Sequence, residues 1–316
     1  MRAVRFTEYG GPDVLNVIEV PRPVAGPGQV VVAVMTAATN PGEIGIREGR
    51  FAAVWPAHFP EGQGNDFAGH IAEIGSGVRD FAVGDEVIGF SPRAAQAEYV
   101  ALEAGRVAAK PPGLSWEAAA TIAGAGATAW ASVAAVDPRP GETIVVSAAA
   151  GGVGIYAAQL ARLRGADVIG TAGENNASLL ESLGIRPARY GPGLSAQLRE
   201  LAPNGIDGFI DTFGSGNVAL AVSLGVEPDR INTLIDQDAV QRFGVHSEAQ
   251  EQADTPAIWA QLADHVARGD ITVPIAAAYD FTTEDVRRAY GDVGTRHGSG
   301  KRVLRVMSAH RDGGHS

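Results

Sequence analysis

The sequence predicts an α/β protein made of a β-barrel-like domain with a doubly wound parallel sheet inserted into it. Three observations carry this. The first third is a series of short apolar runs punctuated by glycine and proline, alanine-rich helical stretches alternate with short strands from Ser115 onward, and a glycine-rich loop joins one such strand to its helix. At 316 residues, 45% of them hydrophobic, the chain exceeds what one small core needs and points to two domains.

Taken in order, Val14 to Val20 is β-branched and apolar, Pro21 to Gly28 is a turn-rich break, and Gln29 to Met35 is a valine run with Val30, Val32 and Val34 on one face. Further strands are expected at Phe67 to Ile74, Glu86 to Phe90 and Ala97 to Leu102, separated by Gly75-Ser76-Gly77 and Gly84-Asp85. Many short strands with glycine-rich turns suit a barrel-like domain.

Beyond Ser115 the strands are Thr143 to Ala148, Ala166 to Thr171, Ile206 to Thr212 and Arg230 to Ile235. The helices between them are Val153 to Arg164, Asn176 to Leu183, Ser195 to Ala202 and Asn217 to Leu224. Such alternation marks a parallel sheet covered on both faces. A helix from Pro256 to Val266, a strand near Val273 to Phe281, a capped helix from Thr283 to Tyr290 and a strand from Arg302 to Val306 close the chain. This last stretch reads as a return to the first domain, giving residues 1–121 and 271–316 to that domain and 122–270 to the insertion. The polar tail from Ser308 to Ser316, with His310 and His315, is expected to fray.

Charge and composition exclude several function classes. The 36 acidic and 25 basic residues leave a net charge of -11, with no basic cluster, so nucleic acid is not an expected partner. Zero cysteines exclude disulfides, thiolate nucleophiles and cysteine-held metals. The N-terminus lacks a signal-peptide layout, and no apolar run approaching the roughly 18 residues of a membrane span stands out. A cytoplasmic protein with no membrane partner is the expectation.

The strongest motif runs Ile144-Val145-Val146-Ser147-Ala148-Ala149-Ala150-Gly151-Gly152-Val153-Gly154 and continues into a helix. Gly151 and Gly152 would let the main chain approach a pyrophosphate, Gly154 would let helix and strand pack closely, and the helix N-terminus would meet the anion. The next strand ends in Ala172-Gly173 rather than in the carboxylate that reads a ribose 2′-hydroxyl, which favours NADP(H); Glu174, just beyond, could turn to the ribose or to solvent. Asn175, Asn176, Arg189 and Tyr190 are candidates for a 2′-phosphate, and the two asparagines could equally cap the following helix.

Several segments then fall together. They are Asn40 to Gly49, Gly64-Asn65-Asp66-Phe67-Ala68-Gly69, Val83 to Val87, Ala97-Glu98-Tyr99-Val100, Gly126-Ala127-Thr128-Ala129-Trp130, the loop ending at Gly154, and Gly300-Lys301-Arg302-Val303-Leu304. In this order the chain resembles the zinc-independent quinone oxidoreductases of the medium-chain dehydrogenase/reductase superfamily. The resemblance implies a GroES-like β-barrel catalytic domain with an inserted Rossmann domain, and an active site in the cleft between them. Asn40 and Asn65 stand where zinc-dependent relatives carry cysteine and histidine, so a metal-free enzyme is expected. Without a Lewis acid, hydride transfer from NADPH to a quinone or an α,β-unsaturated carbonyl is favoured, since charge spreads over a conjugated system.

The resemblance assigns catalytic positions to Asn40, Asn65 and Asp66, with the Asn40 amide donating to a substrate oxygen or the nicotinamide ribose. For Asn65 and Asp66 a strand-leading turn is the plain alternative. Cofactor contacts are expected from Thr128, Ala149, Ala150, Gly151, Gly152, Val153, Gly154, Gly173, Asn175, Asn176, Tyr190, Ile235 and Lys301. Tyr190 matches a family tyrosine at the 2′-phosphate, while a lysine often found near Asn176 is missing. Glu43 replaces a usual aspartate and could brace Arg47. Gly45 replaces a tyrosine found in some members, implying a wider pocket, which Phe51, Trp55, Phe59 and Trp130 could line. His70 and His265 read as ordinary histidines, whereas His246 could approach a ligand. A homodimer through the strand around Ile231 to Ile235 is implied. Alternative readings are an enoyl-thioester reductase and a non-catalytic, crystallin-like or RNA-binding member; the acidic balance opposes RNA.

Overall fold

A computed structural model describes residues 1–295 and 298–307. The expectation for the tail from Ser308 to Ser316, with His310 and His315, lies outside these residues. The chain divides into two compact units: Met1–Gly124, Thr255–Ala267 and the chain from Pro274 onward form the first, and Ala125–Asp254 with Arg268–Val273 form the second. The sequence reading drew its limits at 121 and 270. Contacts instead return the chain to the first unit at Thr255, because helix Pro256–Ala267 packs on strand Val107–Ala109 and Arg106 lies over the ring of Trp259.

In the first unit, strand Gln29–Ala38 is the spine. It pairs antiparallel with Asp66–Ile74, with Tyr99–Glu103 and with Lys301–Arg305. Val30, Val31, Val32 and Val34 are all fully buried, so both faces of this strand are covered, not only the face of alternate valines. Register shifts between Val31 and Val32 and between Val34 and Thr36 bend the strand as the sheet curls. Beyond these lie Glu86–Phe90 and Val107–Ala109 on one side and Ile275–Asp280 on the other. A small sheet, ordered Asn16–Glu19, Arg2–Phe6, Glu61–Gly62, joins the larger one where Val4 N donates to Gln96 O and Glu98 N donates to Arg2 O. Strand Arg2–Phe6 was not assigned from the sequence; its Ala3, Val4 and Phe6 enter the common core with Phe67, Ile71 and Tyr290.

The second unit holds a five-stranded parallel sheet in the order Arg186–Arg189, Asp167–Ala172, Thr143–Val146, Gly208–Asp211, Ile231–Thr233. Chain order reverses between Thr143–Val146 and Gly208–Asp211, and the carboxyl ends of those two strands mark the switch point of a doubly wound sheet. The edge strand Arg186–Arg189 carries Pro187, which an edge tolerates because it need not donate on both sides.

The apolar content of one segment exceeds the sequence expectation. The helical stretch Trp116–Val136 runs 21 residues and is long and apolar enough by composition to cross a membrane, but 72% of its most apolar window is buried, which makes it a core helix. Its middle, Ile122–Gly126, opens into a π-helical turn, a local widening common at functional sites.

Candidate active site

In the second unit the glycine-rich loop leaves strand Thr143–Val146 through Ser147 and turns at Ala148, whose φ of 46° is left-handed. Ala148 is held there by its N–H donating to Thr171 Oγ1 at 3.2 Å and by Gly151 N donating to its carbonyl at 2.8 Å. A Cβ on Gly154 would lie 2.3 Å from Ala148 O, so position 154 accepts only glycine without moving the loop. Helix Gly154–Leu163 then starts with no side-chain cap, and Ile155 N donates to Gly151 O at 3.0 Å. Ala149 and Ala150 are buried beneath this turn, where Ala149 packs on Gly170, and Gly151, Gly152 and Val153 are partly open.

The corner after strand Asp167–Ala172 is built as a shelf. Tyr190 lies over Gly173, where an added Cβ would sit 3.3 Å from its hydroxyl, and the tyrosine is 54% exposed. Glu174 pairs with Arg189 at 3.2 Å, both largely exposed. Asn176 occupies the N-cap of helix Ala177–Ser182 without a side-chain cap bond, so the capping role foreseen for the asparagines is not made. Asn175 is exposed.

Sequence reasoning missed Asp211. It is fully buried at the switch point, and its carboxylate accepts from Ser147 Oγ at 2.7 Å, Thr233 Oγ1 at 2.8 Å, Asn217 Nδ2 at 2.9 Å and the backbone N–H groups of Phe213 and Gly214. Three strand ends are thereby tied to one loop whose Gly214, Ser215 and Gly216 all have positive φ. The signal was an aspartate ending an apolar strand just before Gly214-Ser215-Gly216. Ile235 is half-exposed beside Gly214, and Thr128 O accepts from Ser132 Oγ one turn on in the same helix, Ala127–Val136.

In the first unit a polar cluster surrounds Asn40, the N-cap of helix Pro41–Arg47. Asn40 Nδ2 donates to Asp66 Oδ1 at 2.7 Å and to Glu43 Oε1 at 2.9 Å, and Asn40 Oδ1 accepts from Lys301 Nζ at 2.5 Å. Lys301 also donates to Thr39 O at 3.3 Å, and Tyr290 donates to Glu43 Oε2 at 2.5 Å. Burial, with the nearby Asp66 carboxyl, pushes Glu43 up to about 7; burial also raises Asp66 and lowers Lys301. Both N–H groups of the Asn40 amide are spent inside the protein, so it does not stand free as the donor the resemblance implied. Lys301 keeps a third N–H with no partner among the described residues. Gly124, in the π-helical turn, sits against Asp66: a Cβ there would lie 2.3 Å from Asp66 Oδ2.

Comparison with known proteins agrees with this architecture. The alcohol dehydrogenase GroES-like domain family matches residues 26–140. A chloroplastic quinone-oxidoreductase homologue of Spinacia oleracea is 32% identical over 194 residues, 58% of this chain and 59% of that protein. A phthioceranic/hydroxyphthioceranic acid synthase of Mycobacterium tuberculosis is 38% identical over 162 residues, which is 51% of this chain but 8% of the synthase. A mycobacterial protein solved in complex with NADPH superposes with a TM-score of 0.84 at 26% identity, covering 96% of this chain and 100% of that one.

The chain belongs to the medium-chain dehydrogenase/reductase superfamily. Within it the chain is quinone oxidoreductase-like, with a GroES-like domain and a Rossmann-type parallel sheet.

Against that superfamily background, the two positions where zinc-dependent members carry ligands do not fit a zinc ion here. Asn65 Oδ1 accepts from Arg93 N at 3.0 Å, holding a turn in which Arg93 has a φ of 60°, and Asn40 Oδ1 faces an ammonium that would repel a cation. Glu43 bonds Asn40 and Tyr290, while Arg47 instead donates to Gly10 O and stacks on the Tyr290 ring. The space above Gly45 is not empty: a Cβ there would lie 2.7 Å from Phe51 Cε2, so the Phe51 ring fills the room that a larger residue would take. Phe51 and Trp55 are about half exposed, and Phe59 packs edge-on against Phe6 and Tyr9. Trp130 belongs to the second unit and is partly buried.

One other expectation is corrected by the second unit. His246 is a structural residue: its ring nitrogen bonds Asp229 O at 3.1 Å, and its backbone exchanges hydrogen bonds with Ile231 and Thr233. That pairing, with Asn232 clasping Glu248 through both ends of its amide, covers the outer edge of strand Ile231–Thr233.

Proposed function

We propose that the protein is an NADPH-dependent reductase that delivers hydride to a quinone or an α,β-unsaturated carbonyl without a metal. The observation that carries this reading is the Asn40 cluster, which places a buried ammonium 2.5 Å from an amide oxygen at a position where metal-dependent relatives bind zinc. NADPH, when bound, supplies the hydride.

The chain's own residues hold and polarise. The uncapped start of helix Gly154–Leu163 and the N–H groups at Gly152 to Gly154 would bind the pyrophosphate, Gly151 N being held by Ala148 O. Tyr190, Asn175, Asn176 and Arg189 would meet the 2′-phosphate, with Arg189 leaving Glu174 to do so. Lys301 offers a cationic N–H where negative charge develops on a substrate oxygen. Burial pushes the Lys301 ammonium toward losing its proton, and the Asp66 and Glu43 carboxyls oppose that loss.

A second reading is supported by the 38% identity to a stretch of a mycobacterial fatty-acid-type synthase: reduction of enoyl thioesters. An NADPH-consumption screen over quinones, short enones and enoyl thioesters, with and without a chelator, separates the two. Turnover of quinones or enones that survives chelation is expected. Activity confined to thioesters moves the assignment to the second reading, and loss on chelation overturns the metal-free mechanism.

A further inference from the structure

Six polar side chains of the first unit form an ordered chain. Gln96 Nε2 donates to Ala38 O at 3.1 Å and to the Tyr290 hydroxyl at 2.7 Å. Tyr290 donates in turn to Glu43, and Glu43 accepts from both the backbone and side-chain nitrogens of Asn40. Asp66 and Lys301 complete the ring around the same amide. Gln96, Tyr290, Glu43, Asp66 and Lys301 are all buried; Asn40 alone is partly exposed. Five buried groups therefore converge on one accessible amide.

Burying two carboxyls and an ammonium costs several kcal/mol per uncompensated ion, and a fold needs no such cluster to hold one helix start. What the arrangement accomplishes is orientation. Turning the Asn40 amide over would set its oxygen against Glu43 and Asp66 and its N–H groups against the Lys301 ammonium. We propose that Glu43 and Tyr290 are positioning residues that lock Asn40 with its nitrogen inward, so that Asn40 meets a ligand only as an acceptor while Lys301 supplies the adjacent donor. The ligand group read here is then one that both donates and accepts, a hydroxyl. Its place in the reaction rests on the reductase reading above, but the lock itself does not.

The groups facing Glu43 are Asn40 and Arg47 from its own helix, Asp66 and Lys301 from two strands, and Tyr290 from helix Thr283–Gly294. Glu43 Oε2 accepts from Tyr290 and from Asn40 N while Oε1 accepts from Asn40 Nδ2, so gain of a proton by Glu43 weakens it as the acceptor of these bonds. The lock should accordingly loosen as the carboxyl takes up a proton near neutral pH.

The test is made first on ligand-free protein labelled with 15N-asparagine, by following solvent exchange of the Asn40 side-chain amide, assigned by its loss in Asn40→Ala. In the wild type these protons should exchange at least tenfold more slowly than those of the exposed Asn175. Glu43→Gln and Tyr290→Phe should each remove that protection, and Glu43→Asp, which keeps the charge but not the reach, should not restore it. Steady-state kinetics should then show kcat reduced about tenfold in both variants, the Michaelis constant for NADPH little changed, and a pH limb near 7 in the wild type that Glu43→Gln lacks. Wild-type exchange as fast as Asn175, or variants exchanging at the wild-type rate, overturns the lock whether or not the protein reduces quinones. Tyr290→Phe keeps the proposal testable if Glu43→Gln does not fold.

Discussion

The Glu43 carboxyl and the Tyr290 hydroxyl, 247 residues apart in the chain, meet at 2.5 Å inside the first unit. Both are buried, and the contact closes the GroES-like domain by joining helix Pro41–Arg47 to helix Thr283–Gly294, where Gly294 faces Ile44. Burial raises Glu43 from an ordinary 4.5 to about 7.

That shift has a thermodynamic sign. Between about 4.5 and about 7 the unfolded chain has released the Glu43 proton while the folded chain retains it, so stability is full below the lower value and is lost as pH rises through the upper one. The melting temperature of the wild type should fall from pH 5 to pH 8 more steeply than that of Glu43→Gln, which has no proton to lose. Parallel curves would show that Glu43 is not a titrating group in this window.

Glycine at position 154 is dictated by a backbone oxygen. An alanine there puts its Cβ 2.3 Å from Ala148 O, whereas at Gly151 the same addition meets that oxygen at 3.1 Å. Gly154→Ala should therefore weaken NADPH binding at least tenfold, equal to about 1.4 kcal/mol, and lower stability by roughly 1–3 kcal/mol through overpacking. Gly151→Ala should be milder on both counts. Isothermal titration and denaturant unfolding of the two variants check the order, and a reversal would mean that the loop does not hold the turn described.

Cofactor choice turns on the Glu174–Arg189 pair. An exposed pair of this kind contributes little to stability, so Arg189 is free to exchange Glu174 for a 2′-phosphate, whose bonds to a guanidinium are charge-assisted. Arg189→Ala should raise the dissociation constant for NADPH about tenfold and leave that for NADH within twofold. Glu174→Ala should leave NADPH binding intact or tighter. Equal losses for both nucleotides in Arg189→Ala would place the phosphate elsewhere.

Legibility from sequence followed the range of the forces involved. Strand Glu86–Phe90 lay where its apolar run ends, and the loop to Gly154 was readable because strand, turn and helix lie within a short stretch of chain. Strand Arg186–Arg189 was invisible because two arginines and a proline can form an edge strand only once Asp167–Ala172 offers a partner. Asn40 and Asp66 stand out in the sequence, but the direction of the Asn40 amide does not, since it is set by Glu43 together with Tyr290 and Lys301 arriving from distant segments. The covering of strand Ile231–Thr233 by His246 was missed for a related reason: a two-residue pairing leaves no alternating pattern to read.

The Asp211 carboxylate is the anchor of the switch point. Its oxygens receive side-chain donors from Ser147, Asn217 and Thr233 and backbone donors from Phe213 and Gly214, with no accessible surface. Asp211→Asn keeps the shape but turns an NH2 group toward donors, leaving at least one of them unsatisfied in a site that water cannot enter. Such a loss costs roughly 2–4 kcal/mol, and it should appear as a lower denaturant midpoint. Thr233→Val removes a single donor and should cost about 1 kcal/mol. Because the loop with positive φ at Gly214, Ser215 and Gly216 hangs on the same carboxylate, Asp211→Asn should also raise the NADPH dissociation constant, whereas Thr233→Val should change it little. An Asp211→Asn protein that unfolds at the wild-type midpoint would mean that the loop is held by its backbone alone.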